Sequence, residues 1–138
     1  IQEFNNTLPI VIASGTGTTA YYTACYTSQP IITLACVGSK EYLYQQMSQI
    51  GIPPLNLTCY DLKIHHPFAQ PQSPYYNLYE TLYSKEIELD LLYDIPTLYS
   101  MLHSSLSTFI FVVGGGKEGN FTMKQRYQRF FDRNQSKT

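Results

Sequence analysis

The chain has 138 residues, of which 43% are hydrophobic and 14% charged, so it can bury one core and is expected to form a single globular domain spanning residues 1–138. This composition excludes a disordered, collagenous or coiled-coil chain. Nine Lys and Arg residues stand against ten Asp and Glu, which gives a formal net charge of -1. A nucleic-acid partner would require a clustered positive surplus, and we therefore expect none.

Membrane insertion and export are also disfavoured by the sequence. No apolar run approaches the roughly 20 residues of a membrane-spanning helix, and residues 1–7 lack the pattern of a signal peptide. Cys25, Cys36 and Cys59 are an odd set without CxxC spacing, which favours a reducing compartment over a disulfide framework or a zinc site. We expect a cytoplasmic protein with no membrane segment and no metal. Because the first residue is Ile and not Met, we also expect a processed or truncated polypeptide.

Short apolar runs alternate with segments of helical periodicity, the pattern of β-α units that build a parallel sheet. The runs at 9–13 and 31–37 predict buried strands, and 18–27 predicts a short helix that crosses between them. From Ser39 onward, Leu43, Met47 and Ile50 recur at helical spacing, which predicts a helix that ends at Gly51.

The segment from Leu55 to Pro74 is rich in Pro and Gln, which predicts an irregular excursion or mobile loop. After it we expect a helix at 75–84, a strand at 88–92, a helix at 96–106 and a strand at 109–113. Asn120 is predicted to cap a final helix, whose apolar face consists of Met123, Tyr127, Phe130 and Phe131. The predicted fold is α/β, with a mostly parallel sheet flanked by helices in three layers.

The sharpest chemical feature is a Gly/Thr-rich run between the first strand and its helix. Glycines allow a tight turn that converges backbone N–H groups, the helix N-terminus adds a partial positive charge, and hydroxyls add donors, all of which suit a phosphate. The run matches neither GxxxxGK[ST] nor GxGxxG, because it lacks the lysine of the one and the third glycine of the other. A tight connection without a ligand is the alternative. The run comprises Ser14, Gly15, Thr16, Gly17, Thr18 and Thr19.

Four blocks of the sequence carry a resemblance to a known family: IASGTGTTA, PIITLACVGSKEYLYQQM, IELDLLYD and FIFVVGGGKEGNFTMKQRYQRF. In order and spacing they resemble the second half of pyridoxal-phosphate enzymes related to 1-aminocyclopropane-1-carboxylate deaminase and D-cysteine desulfhydrase. These enzymes belong to the tryptophan-synthase-β-like group, or fold type II. The similarity runs from about Pro9 to Phe131 and is weakest over 55–84. It implies part of a deaminase or lyase that uses pyridoxal phosphate and releases ammonia and an oxo acid from an amino acid.

The resemblance also implies roles for individual residues. The family's phosphate cradle falls on Gly15 to Thr19, with Ser14 just before it. Tyr93 matches a tyrosine that faces the substrate, and Asp94 matches an acid that faces the pyridine nitrogen. An acid there keeps the ring protonated and makes it a better electron sink. From the residues alone, Asp94 is better explained as an acid at a helix N-terminus ahead of Pro96.

Two departures from the family pattern bear on catalysis. Where the family carries His-Ser/Thr-Gly-Gly, this sequence has Val113-Gly114-Gly115-Gly116. The family's Schiff-base lysine lies ahead of the phosphate loop, whereas no lysine precedes Gly15 here, so covalent catalysis cannot start on this chain alone. We therefore expect a missing N-terminal lobe or complementary chain, with a homodimer also compatible. The alternatives are an inactive remnant or anion-binding or pyridoxal-phosphate-binding module, and, less favoured, a small-nucleotide-binding α/β domain.

Other reactive side chains give weaker signals. His65 and His66 are adjacent without a third ligand at metal spacing, which predicts exposed loop histidines. His103 lies beside serines on a predicted helix, a spacing that does not place a base against a nucleophile. Cys25 and Cys36 are expected to be inert, partly buried thiols.

Overall fold

The structure, a computed structural model, describes residues 8–136, and of Ser136 only the backbone. Strands and helices alternate along most of the chain. Their bounds are β1 (Ile10–Ser14), α1 (Thr18–Cys25), β2 (Ile31–Ala35), α2 (Lys40–Ser48), β3 (Leu57–Asp61), α3 (Ser73–Tyr83), α4 (Asp94–Leu102), β4 (Ile110–Phe111) and α5 (Glu118–Ser136). Within the described range, none of the helices has the length and apolar character to cross a membrane.

The strands form one parallel sheet in the order β3-β2-β1-β4. Ile10 is in register with Ile31 on one side and Ile110 on the other. The carboxyl ends of β1 and its neighbours therefore open at a common edge, where α/β proteins bind ligands. The predicted α/β class, with a parallel sheet and helices on both faces, is confirmed.

The period-two alternation of the strands separates two apolar faces. Ile12 and Ile31 pack with α1 and α2 on one face, where Ala20 and Leu43 are fully buried. On the other face, Val11 and Leu34 pack against Met101 of α4, together with Leu106 and Phe109. The predicted helix that starts after Ser39 is confirmed, and the Ser39 hydroxyl accepts the Tyr42 N–H at its start.

Beyond α4, a second core joins α3, α4 and α5 through aromatic side chains. Tyr75 and Tyr127 are almost fully buried there beside Ile95. Tyr76 packs on Tyr127 with ring centroids 4.8 Å apart. The predicted apolar face of the last helix is confirmed, since Met123 and Tyr127 are buried and Phe130 and Phe131 pack against them.

The structure corrects the prediction of an irregular excursion from Leu55 to Pro74 at both of its ends. The excursion contains β3, in which buried Leu57 and Cys59 alternate with exposed Thr58 and Tyr60. This alternation is the signature of a half-buried strand, but it covers only five residues next to a Pro-rich stretch. The helix α3 begins at Ser73 with a proline in its first turn, where proline has no N–H to lose. Within the predicted excursion, irregular backbone remains at residues 55–56 and 62–72.

The predicted strand at 88–92 is wrong, because its backbone groups are satisfied by side chains instead of a neighbouring strand. The Asp90 carboxylate accepts the N–H groups of Leu92, Tyr93 and Asp94, which curls the chain directly into α4. Asn120 accepts the Leu91 N–H and donates to the Leu89 carbonyl. Asn120 therefore lies inside α5 and anchors the neighbouring segment, and its prediction as a helix cap is also wrong.

Smaller corrections concern element ends and one thiol. Helix α4 spans Asp94–Leu102 instead of 96–106, and β4 comprises two residues of the predicted 109–113. Cys25 is exposed, contrary to the expectation of a partly buried thiol, because it lies at the outer end of α1. Cys36 is buried as predicted.

Candidate functional site

The Gly/Thr-rich run forms the turn from β1 into α1. Gly17 precedes the helix with φ 85°, in the left-handed region, and a Cβ on it would come within 2.9 Å of Met47 and Leu43. Only glycine meets both the backbone and the packing requirement at this position. The first N–H groups of α1 have no acceptor within the helix and point toward the turn. A cavity of about 90 Å³, suited to a phosphate-sized anion, is lined by residues 13–19.

The hydroxyl groups of this run divide into a buried one and exposed ones. Ser14 is buried, and its hydroxyl oxygen lies 2.5 Å from that of Thr33. Because Thr33 donates to the Ile12 carbonyl at 2.6 Å, the Ser14 hydroxyl donates to Thr33 and joins β1 to β2. Ser14 can therefore serve a ligand through its backbone only. Thr16 and Thr18 are exposed, with hydroxyl oxygens 3.1 Å apart.

The two residues assigned to catalysis by the resemblance lie beside this turn. Asp94 is the first residue of α4, with 1% of its surface exposed, and it accepts the Gly115 N–H at 3.2 Å. Burial is the main reason that the pKa of Asp94 is raised above its ordinary value, and the nearby Asp90 raises it further. The Tyr93 ring lies 3.4 Å from the position of a Cβ on Gly15.

A second cavity, lined by Tyr93 and Asp94, adjoins the phosphate-sized cavity. Its volume is about 170 Å³, and its walls include Tyr93, Asp94, Gly114 and Gly115. Ala13 and Thr19 line both cavities, so the two are contiguous. The structure thus places Tyr93 and Asp94 next to the Gly/Thr-rich turn, with the Ser14 side chain turned into the core.

Asp90 was missed by the sequence analysis, and it holds the position of Tyr93 and Asp94. Its carboxylate, 4% exposed, accepts the Leu92 N–H and the Asp94 N–H, each at 2.8 Å. A Cβ on Gly115 would come within 2.6 Å of it, so the glycine-rich turn can approach only without a side chain. The sequence signal for this role was the position of Asp90, an acid whose carboxylate can accept backbone N–H groups two to four residues further on, where α4 starts.

Phe68 was also missed, because it lies in the segment predicted to be irregular. Its ring centroid is 5.5 Å from that of Tyr93. The segment is tied down next to Phe68, since the Gln72 N–H donates to the Tyr127 hydroxyl and Arg126 donates to the Ala69 carbonyl. Phe68 therefore packs beside the Tyr93 ring.

Cys36 lies behind the site and is chemically quiet. Its thiol is 3.6 Å from the Tyr93 carbonyl oxygen and 3.4 Å from the Thr97 hydroxyl. Burial raises the pKa of the Cys36 thiol to about 11, so the thiolate is not formed near neutral pH. The thiol helps to fasten the start of α4 to β2.

The residues present fit pyridoxal phosphate without a covalent link. The smaller cavity offers N–H and hydroxyl donors to a phosphate, and the larger offers a buried carboxyl group to a ring nitrogen. Neither cavity has a lysine among its described lining residues. The arrangement can hold and orient such a molecule, and an amine for covalent chemistry would have to come from elsewhere.

Comparison with known proteins adds no relative to this picture. The chain matches no protein-family model, and a search of curated proteins finds no match either. Its function is therefore inferred from its residues and their geometry.

Proposed function

We propose that this chain holds pyridoxal phosphate and forms the cofactor-binding part of an amino-acid deaminase or lyase of the 1-aminocyclopropane-1-carboxylate deaminase or D-cysteine desulfhydrase type. The observation that carries the proposal is the contiguity of the two cavities. The phosphate-sized cavity at the N-terminus of α1 adjoins a cavity that contains a buried carboxyl group.

The turn takes the phosphate in this proposal. The N–H groups of Gly15 to Thr19 and the exposed threonine hydroxyls are the donors, and the helix N-terminus supplies partial positive charge. Asp94 faces the ring nitrogen. Because burial makes its ionised form costly, a protonated nitrogen beside it is a favourable partner. When bound, the cofactor supplies an electron sink for a carbanion at the substrate α-carbon.

Tyr93 and Phe68 act on the substrate side of this proposal. The Tyr93 hydroxyl can donate to an amino-acid substrate, and Phe68 supports the Tyr93 ring from beside it. The lysine needed for turnover is assigned to a complementary lobe or chain, because none is among the described residues that line the two cavities. The chain alone is expected to bind without turnover. A cytoplasmic location belongs to the same proposal.

Binding of pyridoxine 5′-phosphate tests this directly, because this analogue lacks the aldehyde that reacts with surface lysines. Calorimetry should show binding to the chain, weakened roughly fivefold by Thr19→Val and roughly tenfold by Asp94→Asn, since each removes one hydrogen-bonding or charged group. Thr58→Val, at an exposed position on β3, is the matched control and should bind as the parent chain does.

Three results would contradict the proposal. Equal affinity for pyridoxine and its phosphate would mean that the turn does not take the phosphate. Tighter binding of adenosine monophosphate would favour the small-nucleotide domain. Equal affinity for inorganic phosphate and pyridoxine 5′-phosphate would favour a simple anion-binding remnant.

A further inference from the structure

A separate cavity lies away from the candidate site, beside the C-terminal end of α4. It has a volume of about 520 Å³ and lies between β2, β3 and the C-terminal end of α4. This volume is within the range of small-molecule sites. None of its lining residues lines the two cavities at the turn. We call it the α4 cavity.

The floor of the α4 cavity is apolar and its rim is polar. Ile32, Leu34 and Met101 form the floor, and Leu106 closes one side. The Tyr60 ring stands at the edge with 49% of its surface exposed. An apolar floor beside a half-exposed aromatic ring suits the hydrocarbon part of a ligand.

Two charged residues of the rim lie close together in the chain: Asp61 ends β3, and Lys63 comes two residues later. Lys63 supplies an ammonium group at the rim. Its backbone N–H donates to the Ser100 hydroxyl at 2.8 Å, which fixes this part of the rim against α4. Asp61 supplies a carboxylate, one oxygen of which accepts the backbone N–H of Lys40 at 2.8 Å. The rim therefore offers a strong donor and a strong acceptor close together along the chain.

Two further rim residues, which follow α4, also pair an acceptor with a donor. His103 lies 2.9 Å from the Tyr99 carbonyl through Nδ1, and a carbonyl can only accept, so Nδ1 carries the proton. In the neutral imidazole, Nε2 is then an acceptor. The Ser105 hydroxyl, also at the rim, can donate.

We propose that the α4 cavity binds a free amino acid with an apolar or aromatic side chain. The ligand's ammonium group pairs with Asp61 and His103, its carboxylate with Lys63 and Ser105, and its side chain covers the apolar floor. A ligand with only one charge leaves half of the rim unpaired. This site is independent of the proposed cofactor site, because it shares no residue with it.

Calorimetry with L-phenylalanine tests the proposal. We expect binding that is at least tenfold tighter than for 3-phenylpropanoate, which lacks the ammonium group, or for phenethylamine, which lacks the carboxylate. Ser105→Trp should block the cavity and abolish binding, whereas Ser107→Trp, at an exposed position outside the lining, should leave binding unchanged. Lys63→Gln should weaken binding roughly tenfold, and Lys85→Gln, on an exposed turn, should have no effect.

Pyridoxine 5′-phosphate separates the two sites in the same experiment. Saturating amounts should leave L-phenylalanine binding unchanged, whatever the outcome of the cofactor test. The proposal is overturned if L-phenylalanine fails to bind at about 10 mM, or if it binds Ser105→Trp as well as it binds the parent chain. It is also overturned if both single-charge analogues bind the parent chain as tightly as L-phenylalanine does. Circular dichroism of each variant confirms that a loss of binding is not a loss of fold.

Discussion

The two halves of the candidate site are built in opposite ways. The Gly/Thr-rich turn is six consecutive residues between β1 and α1, and its donors are largely backbone N–H groups. The carboxyl half is assembled from segments far apart in the chain, with Asp90 and Asp94 buried against Gly115. A local site depends on backbone conformation, whereas an assembled one depends on buried side-chain partners. Substitutions should therefore damage the two halves by different physical routes.

The largest effect is expected for Gly17→Ala, which attacks the backbone of the turn. The left-handed conformation costs an alanine about 1 kcal/mol, and its Cβ would overlap with the side chains of Met47 and Leu43. We expect about 3 kcal/mol of lost stability in urea unfolding. Gly114→Ala is the matched control, because its Cβ would meet nothing within 4 Å. Equal losses in the two variants would contradict this account of the turn.

The next effect is expected for Asp90→Ala, which attacks the assembled half through a side chain. Removal of the carboxylate leaves the N–H groups of Leu92, Tyr93 and Asp94 without their acceptor at the start of α4. We expect a loss of about 2 kcal/mol in urea unfolding, typical of a lost helix cap with buried donors.

Asp90→Asn distinguishes acceptor loss from charge loss, because an amide oxygen still accepts. It should recover part of the stability lost in Asp90→Ala. A variant Asp90→Ala as stable as the parent chain would show that the carboxylate does not hold this segment.

A smaller, pH-dependent effect is expected for Asp94→Asn. The pKa of Asp94 is raised in the folded chain by burial, so the folded state binds its proton more tightly than the unfolded state. The contribution of Asp94 to stability then falls as pH rises from its ordinary pKa of 3.8 toward the raised value. Asparagine does not titrate. Unfolding measured from pH 3 to pH 7 should show the stability of Asp94→Asn relative to the parent chain rising with pH, and a relative stability that falls with pH would contradict the assigned direction.

The same contrast explains what the sequence could predict. β1, β2 and α2 have periodic apolar residues and clear ends, so strand and helix follow from local rules. The turn at Gly15 and Gly17 could likewise be predicted, because glycines between a strand and a helix allow a tight turn and threonines add hydroxyl donors.

What the sequence could not predict depends on distant partners. The segment around Asp90 has the composition of a strand, but the Asp90 carboxylate and the Asn120 side chain take the N–H and carbonyl groups that a sheet would use. Phe68 lies in an irregular segment, and its place beside Tyr93 depends on the contact of Gln72 with Tyr127. The Asn120 and Gln72 contacts join segments far apart in the chain, and no local pattern encodes them.

The smallest effect is expected for Thr16→Val, which tests whether the turn binds through its backbone. Thr16 is exposed, and its hydroxyl contacts only Thr18 among the hydrogen bonds seen in residues 8–136, so stability should change by less than about 0.5 kcal/mol. If backbone N–H groups carry the phosphate, pyridoxine 5′-phosphate should bind only about threefold more weakly, against about tenfold for Asp94→Asn. Complete loss of binding in Thr16→Val would make the turn a side-chain site after all. The two halves would then differ in where their residues lie in the sequence, and no longer in the kind of group that binds the ligand.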